Sequence, residues 1–351
     1  MVKNNANSIL EMTGADALVT SAGDLRFYLT GFSSTFGIVV ADVSQTVFYT
    51  DSRYIEAAEK QLSDSGITVC EYARGATLSK ILSGYKTIAV PFDRLTANEY
   101  ISFKKAGFEL VDSMPYFEEK MAVKTGEEIA NISLACAATD RAFEELLPLI
   151  KEGVSENELA ALLEYLMRKH GASDVSFKTI CAFGANGSVP HHETGESKLK
   201  FGDSILIDFG CKINGYCSDC TRTFLFGDDG KHEEFKGLYE KVLCAHMLVK
   251  EEFRSGMTGK EGDAIARDYL AEYDLAKYFT HSLGHSLGIN IHENPSLNAI
   301  EQRKFCDGMV FSDEPGVYIA GKVGIRIEDT VTLEGGRVKS LTDSDKNLII
   351  L

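Results

Sequence analysis

The stretch "SILIDFGCKINGYCSDCTRTFLF" (residues 204–226) decides the fold of the larger part of the chain. At its centre, Asn214-Gly215 is the strongest short-range signal for a β-hairpin, because both central residues of a type I′ turn need positive φ. The apolar and β-branched residues on either side are typical of two antiparallel strands. A two-residue turn then pairs Ile213 with Tyr216, and this pairing sets the register of the whole hairpin.

The hairpin brings together two aspartates that are eleven positions apart in the chain, Asp208 and Asp219. Its register places Asp208 opposite Thr221 and Gly210 opposite Asp219, so the two aspartates are diagonal neighbours on one face. Side chains in such positions lie within about 8 Å. Two carboxylates among apolar residues repel each other and are costly to bury without a counter-charge. A cation between them would resolve this conflict. The alternative is one solvated aspartate and one paired with Arg222.

A second stretch, "MVFSDEPGVYIAGKVGIRIEDTVTLEGG" (309–336), is also predicted to form two strands. Glu314 ends the first strand. In "GIRIEDT" the two-residue period of a strand puts the isoleucines on one face and Arg326 and Glu328 on the other. Taken alone, this pattern would indicate an exposed face with an Arg–Glu pair. Together with the aspartate pair it supplies two further carboxylates.

The stretch "HSLGHSLGINIHENP" (281–295) concentrates three of the eight histidines of the chain: His281, His285 and His292. A zinc site of the H-E-x-x-H type needs a helix and a Glu after the first histidine, whereas this stretch has a serine there and two glycines that oppose a helix. A serine-hydrolase elbow around Ser286 needs a following helix, then an acid and a later histidine. The residues that follow, "LGINIHENP", do not start a helix, and the only later histidine is His292, six positions on. We therefore expect a glycine-rich loop with functional histidines, since loops bury little apolar surface.

The candidate ligands are four carboxylates and one imidazole: Asp208, Asp219, His285, Glu314 and Glu328. Hard oxygen donors of this kind suit octahedral Mn²⁺, and also Co²⁺ or Fe²⁺, better than a thiolate zinc site. Four carboxylates that can bridge suit two ions better than one. Two ions about 3.5–4 Å apart activate water and hold a carbonyl oxygen.

In this order and context, the motifs resemble those of the pita-bread metallopeptidases, in the branch that holds aminopeptidase P and prolidase. The stretches "DLRFYLTGF" (24–32) and "TDSRY" (50–54) resemble the non-catalytic domain of that branch. The resemblance implies an α/β (α+β) protein with an N-terminal creatinase-like domain and a C-terminal pita-bread catalytic domain. It also implies hydrolysis of the N-terminal Xaa-Pro bond of a peptide, as an aminopeptidase or a dipeptidase.

The resemblance assigns a role to each candidate ligand. It implies that Asp208 chelates one ion, that Asp219 and Glu328 bridge both, and that His285 and Glu314 hold the other. Two divalent ions are expected, with Mn²⁺ first and Co²⁺, Fe²⁺ or Zn²⁺ as alternatives. Glu314 would also accept the proton of the attacking water.

The resemblance further implies three histidines that face the substrate: His191, His281 and His292. Of these, His281 and His292 would also stabilise the tetrahedral intermediate. Arg326 matches a catalytic-site arginine near the bridging glutamate. His192 stands where the family often has Tyr or Gly, and it is given no role. Two other interpretations remain open, a non-catalytic binding protein with the same fold and a serine hydrolase acting through Ser286.

The chain is predicted to contain two domains. Strands are expected at 17–21, 36–42, 46–51 and 87–93, with helices at 51–66 and 96–107, which indicates an α/β unit. The pattern breaks near 113–125, and a capping box from Thr125 to Glu128 starts a long helix, followed by a helix from Ser155 to His170. We place an N-terminal domain at 1–118, for substrate gating or oligomerisation, and the catalytic domain at 119–351.

The composition of the chain narrows the range of binding partners that we expect. The formal charge of −16 opposes binding to nucleic acid or anionic membranes, and no apolar run reaches the roughly 18 residues of a membrane span. Eight scattered cysteines are typical of reduced thiols in the cytoplasm. The expected partners are a peptide with proline at its second position and a second copy in a homodimer.

Overall fold

The computed structural model describes residues 5–73, 75–228 and 230–351. The chain divides into two compact units, Met1–Met121 and Ala122–Leu351. Our sequence-based boundary at residue 118 falls inside the helix Met114–Ala122, close to this division. Each unit has its own β-sheet structure and its own buried core.

The first unit is built on one mixed sheet with the strand order β4-β3-β2-β1-β5-β6. Its strands are β1 (Ala17–Thr20), β2 (Ile38–Ala41), β3 (Thr46–Thr50), β4 (Ile67–Glu71), β5 (Thr87–Val90) and β6 (Glu109–Asp112). Its helices are α1 (Asn5–Thr13), α2 (Gly23–Thr30), α3 (Ile55–Leu62), α4 (Leu78–Ile81), α5 (Ala97–Lys105) and α6 (Met114–Ala122).

The four strands and two helices predicted for this unit are present, and each is shorter than its predicted range. A capping box begins α5, where the Thr96 hydroxyl accepts from the Glu99 N–H and the Glu99 carboxylate accepts from the Thr96 N–H. Strands β4 and β6 were not predicted. They pair on only one side and are no more than half-buried, so their sequences lack the apolar run of a central strand.

The second unit contains four α-helices among the described residues: α7 (Gly126–Leu146), α8 (Glu156–Lys169), α9 (Glu233–Glu252) and α10 (Gly259–Glu272). The predicted capping box begins α7, from Thr125 to Glu128. A second capping box, which was not predicted, begins α8 from Ser155 to Glu158. Its first six strands are β7 (Asp174–Val175), β8 (Ile180–Phe183), β9 (Ser204–Phe209), β10 (Cys211–Ile213), β11 (Tyr216–Cys217) and β12 (Cys220–Leu225).

The C-terminal part of the second unit adds seven strands in the described range: β13 (Gly284–Ser286), β14 (Glu293–Leu297), β15 (Val310–Asp313), β16 (Gly316–Ile319), β17 (Val323–Arg326), β18 (Asp329–Glu334) and β19 (Arg337–Ser340). They form a sheet of order β14-β13-β15-β18-β19 and the separate pair β16-β17. The earlier strands form the sheets β12-β9-β8 and β11-β10-β7.

The predicted hairpin is confirmed. Asn214 and Gly215 have φ of 49° and 83°, as a type I′ turn requires, and Asp208 faces Thr221. The ladder is interrupted at Gly210, where a Cβ would collide with the Ser218 carbonyl oxygen. The hairpin therefore bends at this glycine and continues as two sheets.

Two sequence predictions for the C-terminal part are wrong. Residues 309–336 form four strands instead of two, because Pro315 offers no N–H and Glu328 donates its N–H to Thr221 in the hairpin. His285 lies on strand β13 rather than in a loop, because this short strand pairs with β14 and β15 on its two sides. Strand pairing across distant segments overrides the local glycine signal.

Aromatic rings fill the core beneath the five-stranded sheet. Phe253, Phe305 and Phe311 contact each other edge to face, with ring centroids 5.2–5.6 Å apart. Helices α9 and α10 contribute further buried residues to the same cluster. Among the described residues, no helix combines the length and apolar character needed to cross a bilayer.

We predict that Phe305→Ala will lower the free energy of unfolding of the second unit by about 3–5 kcal/mol, because a fully buried ring leaves a cavity. Equilibrium denaturation followed by circular dichroism measures this change. Ile300→Ala is the matched control, since that side chain is 82% exposed; we expect a change within about 0.5 kcal/mol. Equal effects of the two substitutions would contradict the assignment of Phe305 to the core.

Candidate metal centre

Three carboxylates meet where the hairpin approaches the C-terminal strands. Asp208 lies on β9, Asp219 precedes β12 and Glu328 precedes β18. One oxygen from each lies within 4.8 Å of the others. Backbone contacts fix this approach: the Glu328 N–H donates to the Thr221 carbonyl over 3.1 Å, and the Asp219 N–H donates to the Thr330 hydroxyl over 3.0 Å.

The other two predicted ligands lie beside this group. His285 Nε2 is 3.5 Å from Asp219 Oδ2 and 3.5 Å from Glu314 Oε1. The buried Ser312 hydroxyl orients both residues, accepting the His285 N–H over 3.0 Å and donating to Glu314 Oε1 over 3.0 Å. All five residues predicted as ligands therefore converge on one region.

The electrostatics of the group are unfavourable without a cation. Burial, followed by the charges of the neighbouring carboxylates, raises the pKa values of Asp219 and Glu328 well above their usual range. Burial also raises the pKa of Glu314 to about 8, even though the nearby Arg326 opposes this. In addition, Asp208 Oδ1 is buried and accepts no hydrogen bond from the described residues. A hard divalent cation fits these oxygens, because it would supply both the missing charge and the missing partner.

The imidazole of His285 is suited to act as a ligand. Burial, helped by the neighbouring His292, lowers its pKa to about 4, so the ring is neutral near pH 7. Its Nδ1 lies 3.2 Å from the Ser286 carbonyl oxygen, which can only accept a hydrogen bond. The proton therefore sits on Nδ1, and the lone pair of Nε2 faces the carboxylates, as metal coordination requires.

Arg326 stabilises the carboxylates through hydrogen bonds on the buried side of the site. Its Nη2 donates to Asp208 Oδ2 over 2.7 Å and its Nε to the Thr221 hydroxyl over 2.9 Å. The same hydroxyl donates to Glu328 Oε2 over 2.6 Å. Arg326 is 3% exposed, so the interpretation as a surface Arg–Glu pair is wrong.

The structure also excludes two other interpretations of the sequence, an ion pair between Arg222 and Asp219 and a nucleophilic Ser286. Arg222 pairs with Asp329 at 2.9 Å, so it is not the partner of Asp219. The Ser286 hydroxyl is buried and donates to the Pro295 carbonyl over 2.6 Å. A serine in this position is not placed to act as a nucleophile.

A cavity of about 500 Å³ opens in front of the five residues. Its size is in the range that holds a small ligand. Its lining includes all three histidines predicted to face the substrate, together with Arg326: His191, His281, His292. Apolar side chains, among them Phe177 and Ile291, line the rest.

His281 and His292 differ in how far neighbouring groups already engage their side chains. His281 Nδ1 donates to the Ser282 carbonyl over 2.8 Å, and its Nε2 lies 2.9 Å from the Tyr318 hydroxyl, so both nitrogens are engaged. Burial, then the charge of Arg326, lowers the pKa of His281 to about 3. The His292 ring contacts His285 edge to face at 4.4 Å, and its side chain is exposed to the cavity.

Sequence reasoning missed the hydroxyl groups that orient the site. Tyr318 receives a hydrogen bond of 2.6 Å from Arg326, and Thr221 and Ser312 hold two of the carboxylates. The Ala-Gly-Lys turn at 320–322 could have indicated the β16-β17 hairpin, in which Gly316 faces Arg326. Tyr318 is then a diagonal neighbour of the arginine, within reach of a long side chain.

Comparison with known proteins agrees with this geometry. Residues 130–334 match metallopeptidase family M24, and residues 4–120 match the creatinase/prolidase N-terminal domain. The Xaa-Pro dipeptidase of Pyrococcus horikoshii is 33% identical over 97% of this chain and 96% of its own. Two solved structures are similar over nearly their full length. They are the Xaa-Pro dipeptidase from Bacillus anthracis (TM-score 0.93, 34% identity, 99% and 98% of the chains) and the X-Pro aminopeptidase from Thermotoga maritima (TM-score 0.91, 31% identity, 98% and 100%).

The chain therefore belongs to metallopeptidase family M24. The predicted architecture, a creatinase-like α/β domain followed by a pita-bread catalytic domain, is confirmed. The protein is a metal-dependent peptidase, and the comparisons give no support to a binding protein or a serine hydrolase.

We predict that the metal-free protein will lose stability as the pH rises from about 7 to 8. The raised pKa values of Glu314, Asp219 and Glu328 mean that the folded state holds protons that the unfolded chain has already released. The histidines with lowered pKa values act in the opposite direction only below about pH 6.5. Thermal unfolding of chelator-treated protein measures the effect.

The same scan with saturating Mn²⁺ and a scan of Glu314→Gln serve as controls. Bound metal should reduce the pH dependence, because it replaces the protons, and Glu314→Gln should reduce it by removing one titrating group. A melting temperature of the metal-free protein that is constant or rises across this window would contradict the raised pKa values.

Proposed function

We propose that this protein hydrolyses the N-terminal Xaa-Pro bond of peptides, as a dinuclear enzyme of the aminopeptidase P and prolidase branch. The observation that carries the proposal is the convergence of Asp208, Asp219, His285, Glu314 and Glu328 on one cavity. Relatives with this substrate in their names cover nearly the whole chain.

The family resemblance implies the ligand assignment, and the proximity of the five side chains supports it. Asp208 would chelate one ion, Asp219 and Glu328 would bridge both, and His285 and Glu314 would hold the other. Four carboxylates and one neutral imidazole form a hard donor set that suits Mn²⁺, which we propose as the metal, with Co²⁺, Fe²⁺ or Zn²⁺ as alternatives. When bound, the ions activate water and polarise the scissile carbonyl.

The protein residues carry the proton transfers and orient the substrate. Glu314, which is ionised when the site holds metal, takes the proton of the attacking water and passes it to the leaving proline nitrogen. His292 donates to the carbonyl oxygen as negative charge develops on it, and His191 contacts the peptide. His281 lines the same cavity, and we propose that it contacts the substrate as well; its Nε2 also lies 2.9 Å from the hydroxyl of Tyr318, which contacts Arg326.

We further propose that residues 1–118 gate the substrate or form a homodimer contact, and that residues 119–351 carry catalysis. The division of the chain after Met121 supports two functional parts. A cytoplasmic location is supported by eight cysteines that all remain free of disulfides. Comparison of Xaa-Pro with Xaa-Pro-Yaa substrates would distinguish a dipeptidase from an aminopeptidase.

The proposed function predicts that the wild-type protein cleaves Ala-Pro or Ala-Pro-Yaa when Mn²⁺ is present and loses this activity with chelator. Asp219→Asn should abolish turnover and lower bound metal, because a bridging carboxylate serves both ions. Proline release and elemental analysis measure the two effects. Ser286→Ala is the control and should retain most activity, since its hydroxyl is committed to Pro295. A wild-type protein that binds metal but cleaves neither substrate would refute the proposal.

His292→Ala should lower kcat/KM on Ala-Pro substrates by about 10²–10³, the usual loss for one oxyanion donor, while metal content stays at the wild-type level. His285→Ala, which removes the neighbouring imidazole ring, should instead lose metal and activity together. Steady-state kinetics with metal analysis of both variants separates the roles. Loss of metal from His292→Ala in proportion to its activity would make His292 a ligand.

A further inference from the structure

The N-terminus of helix α8 contains a buried carboxylate that lies outside the candidate metal centre. The Glu156 side chain is fully buried. One oxygen accepts from the Phe183 N–H over 2.9 Å and from the Asn186 amide over 2.8 Å. The other accepts from the Gly195 N–H over 3.0 Å and from His192 Nε2 over 2.9 Å. The Glu156 carboxylate thus accepts hydrogen bonds from both ends of the segment 183–195 and holds them together.

These hydrogen bonds outweigh the cost of burying the charge. Burial alone would raise the pKa of Glu156, but the bonds from Asn186, His192 and the two backbone N–H groups hold it below its usual value. The carboxylate is therefore ionised, and His192 Nε2 must be the donor, because an ionised carboxylate can only accept.

The tied segment carries His191 into the candidate substrate cavity. The His191 ring is exposed and makes no hydrogen bond within the described parts of the chain. On the preceding residue, the Pro190 carbonyl lies 3.5 Å from Arg326 Nη1, a weak contact. The direction of the His191 ring therefore depends on the backbone on its two sides, and the following residue, His192, is the nearest firm anchor.

We propose that His192 is a positioning residue: its hydrogen bond to Glu156 fixes the segment 183–195 so that His191 points at the substrate. The inference rests on the proposed function for the substrate role of His191. The physical link is short, since adjacent Cα atoms are about 3.8 Å apart and a released anchor moves its neighbour directly. Displacement of a contact group by about 1 Å can cost up to about 10²-fold in rate.

The chain offers a matched control at the other end of the same helix. His170, which caps α8, lies 3.0 Å from Glu145, and its side chain is 17% exposed, the same as that of His192. Both histidines thus pair with a glutamate at nearly equal distance, but only His192 adjoins the cavity. His170→Ala reports the cost of losing a histidine–glutamate pair on α8 without moving His191.

The first experiment is kinetic. We expect His192→Ala to lower kcat/KM on Ala-Pro by about 10- to 100-fold, mainly through KM, because displaced binding groups weaken ground and transition states alike. Metal content should not change. His192→Gln keeps an N–H donor and should restore much of the loss, while His170→Ala should stay near wild type. In the His191→Ala background, His192→Ala should add less than about threefold, since it acts through the missing ring.

The second experiment does not depend on activity. In protein with isotope-labelled histidine and loaded with diamagnetic Zn²⁺, the NMR signals of the His191 ring are identified by their loss in His191→Ala. These signals should shift in His192→Ala and remain in place in His170→Ala. If wild-type protein cleaves no Xaa-Pro substrate, the proposed function fails and this measurement still decides the anchor. Unmoved His191 signals, or a full additional loss in the double variant, would overturn the positioning role of His192.

Discussion

Repulsion between buried carboxylates is the constraint on which the catalytic unit depends. Asp219 and Glu328 are both nearly fully buried and share one small region with Asp208. No arrangement of neutral side chains removes the cost of like charges in a low dielectric. The fold lowers this cost with a buried arginine and hydroxyl donors, and it leaves space in which divalent cations can bind. The metallopeptidase function is thus built on an electrostatic conflict that the polypeptide by itself only partly relieves.

A second layer of charge lies directly behind the proposed ligands. Strands β15 and β18 pair Asp313 with Asp329, and these residues adjoin the proposed ligands Glu314 and Glu328 in the chain. The His246 ring from α9 lies between the two aspartates, 3.0 Å and 3.4 Å from their oxygens. Burial would lower its pKa, but the two aspartates raise it to about 9. A buried imidazolium therefore helps to hold together the two strands that aim their next residues into the site.

The sequence predicted the parts of the site that follow from local rules. Asn214-Gly215 sets the hairpin register, and that register alone brings Asp208 near Asp219. The motif order supplied His285 and Glu314. The sequence could not reveal His246, because its partners Asp313 and Asp329 lie on strands whose packing against α9 no local pattern encodes. His285 was misplaced in a loop for the same reason, since β13 exists only through its partners β14 and β15.

The five proposed donors are spread over some 120 positions, from Asp208 to Glu328, and no two consecutive ones share a helical turn. An unfolded chain cannot gather them, so a divalent ion binds the native state almost exclusively. Its free concentration then sets the stability: an ion at about 100 times its dissociation constant adds about 2.7 kcal/mol. The amount of folded enzyme in a cell would then follow the supply of the metal. When the metal is scarce, the protein would be lost to unfolding and degradation as well as to inactivity.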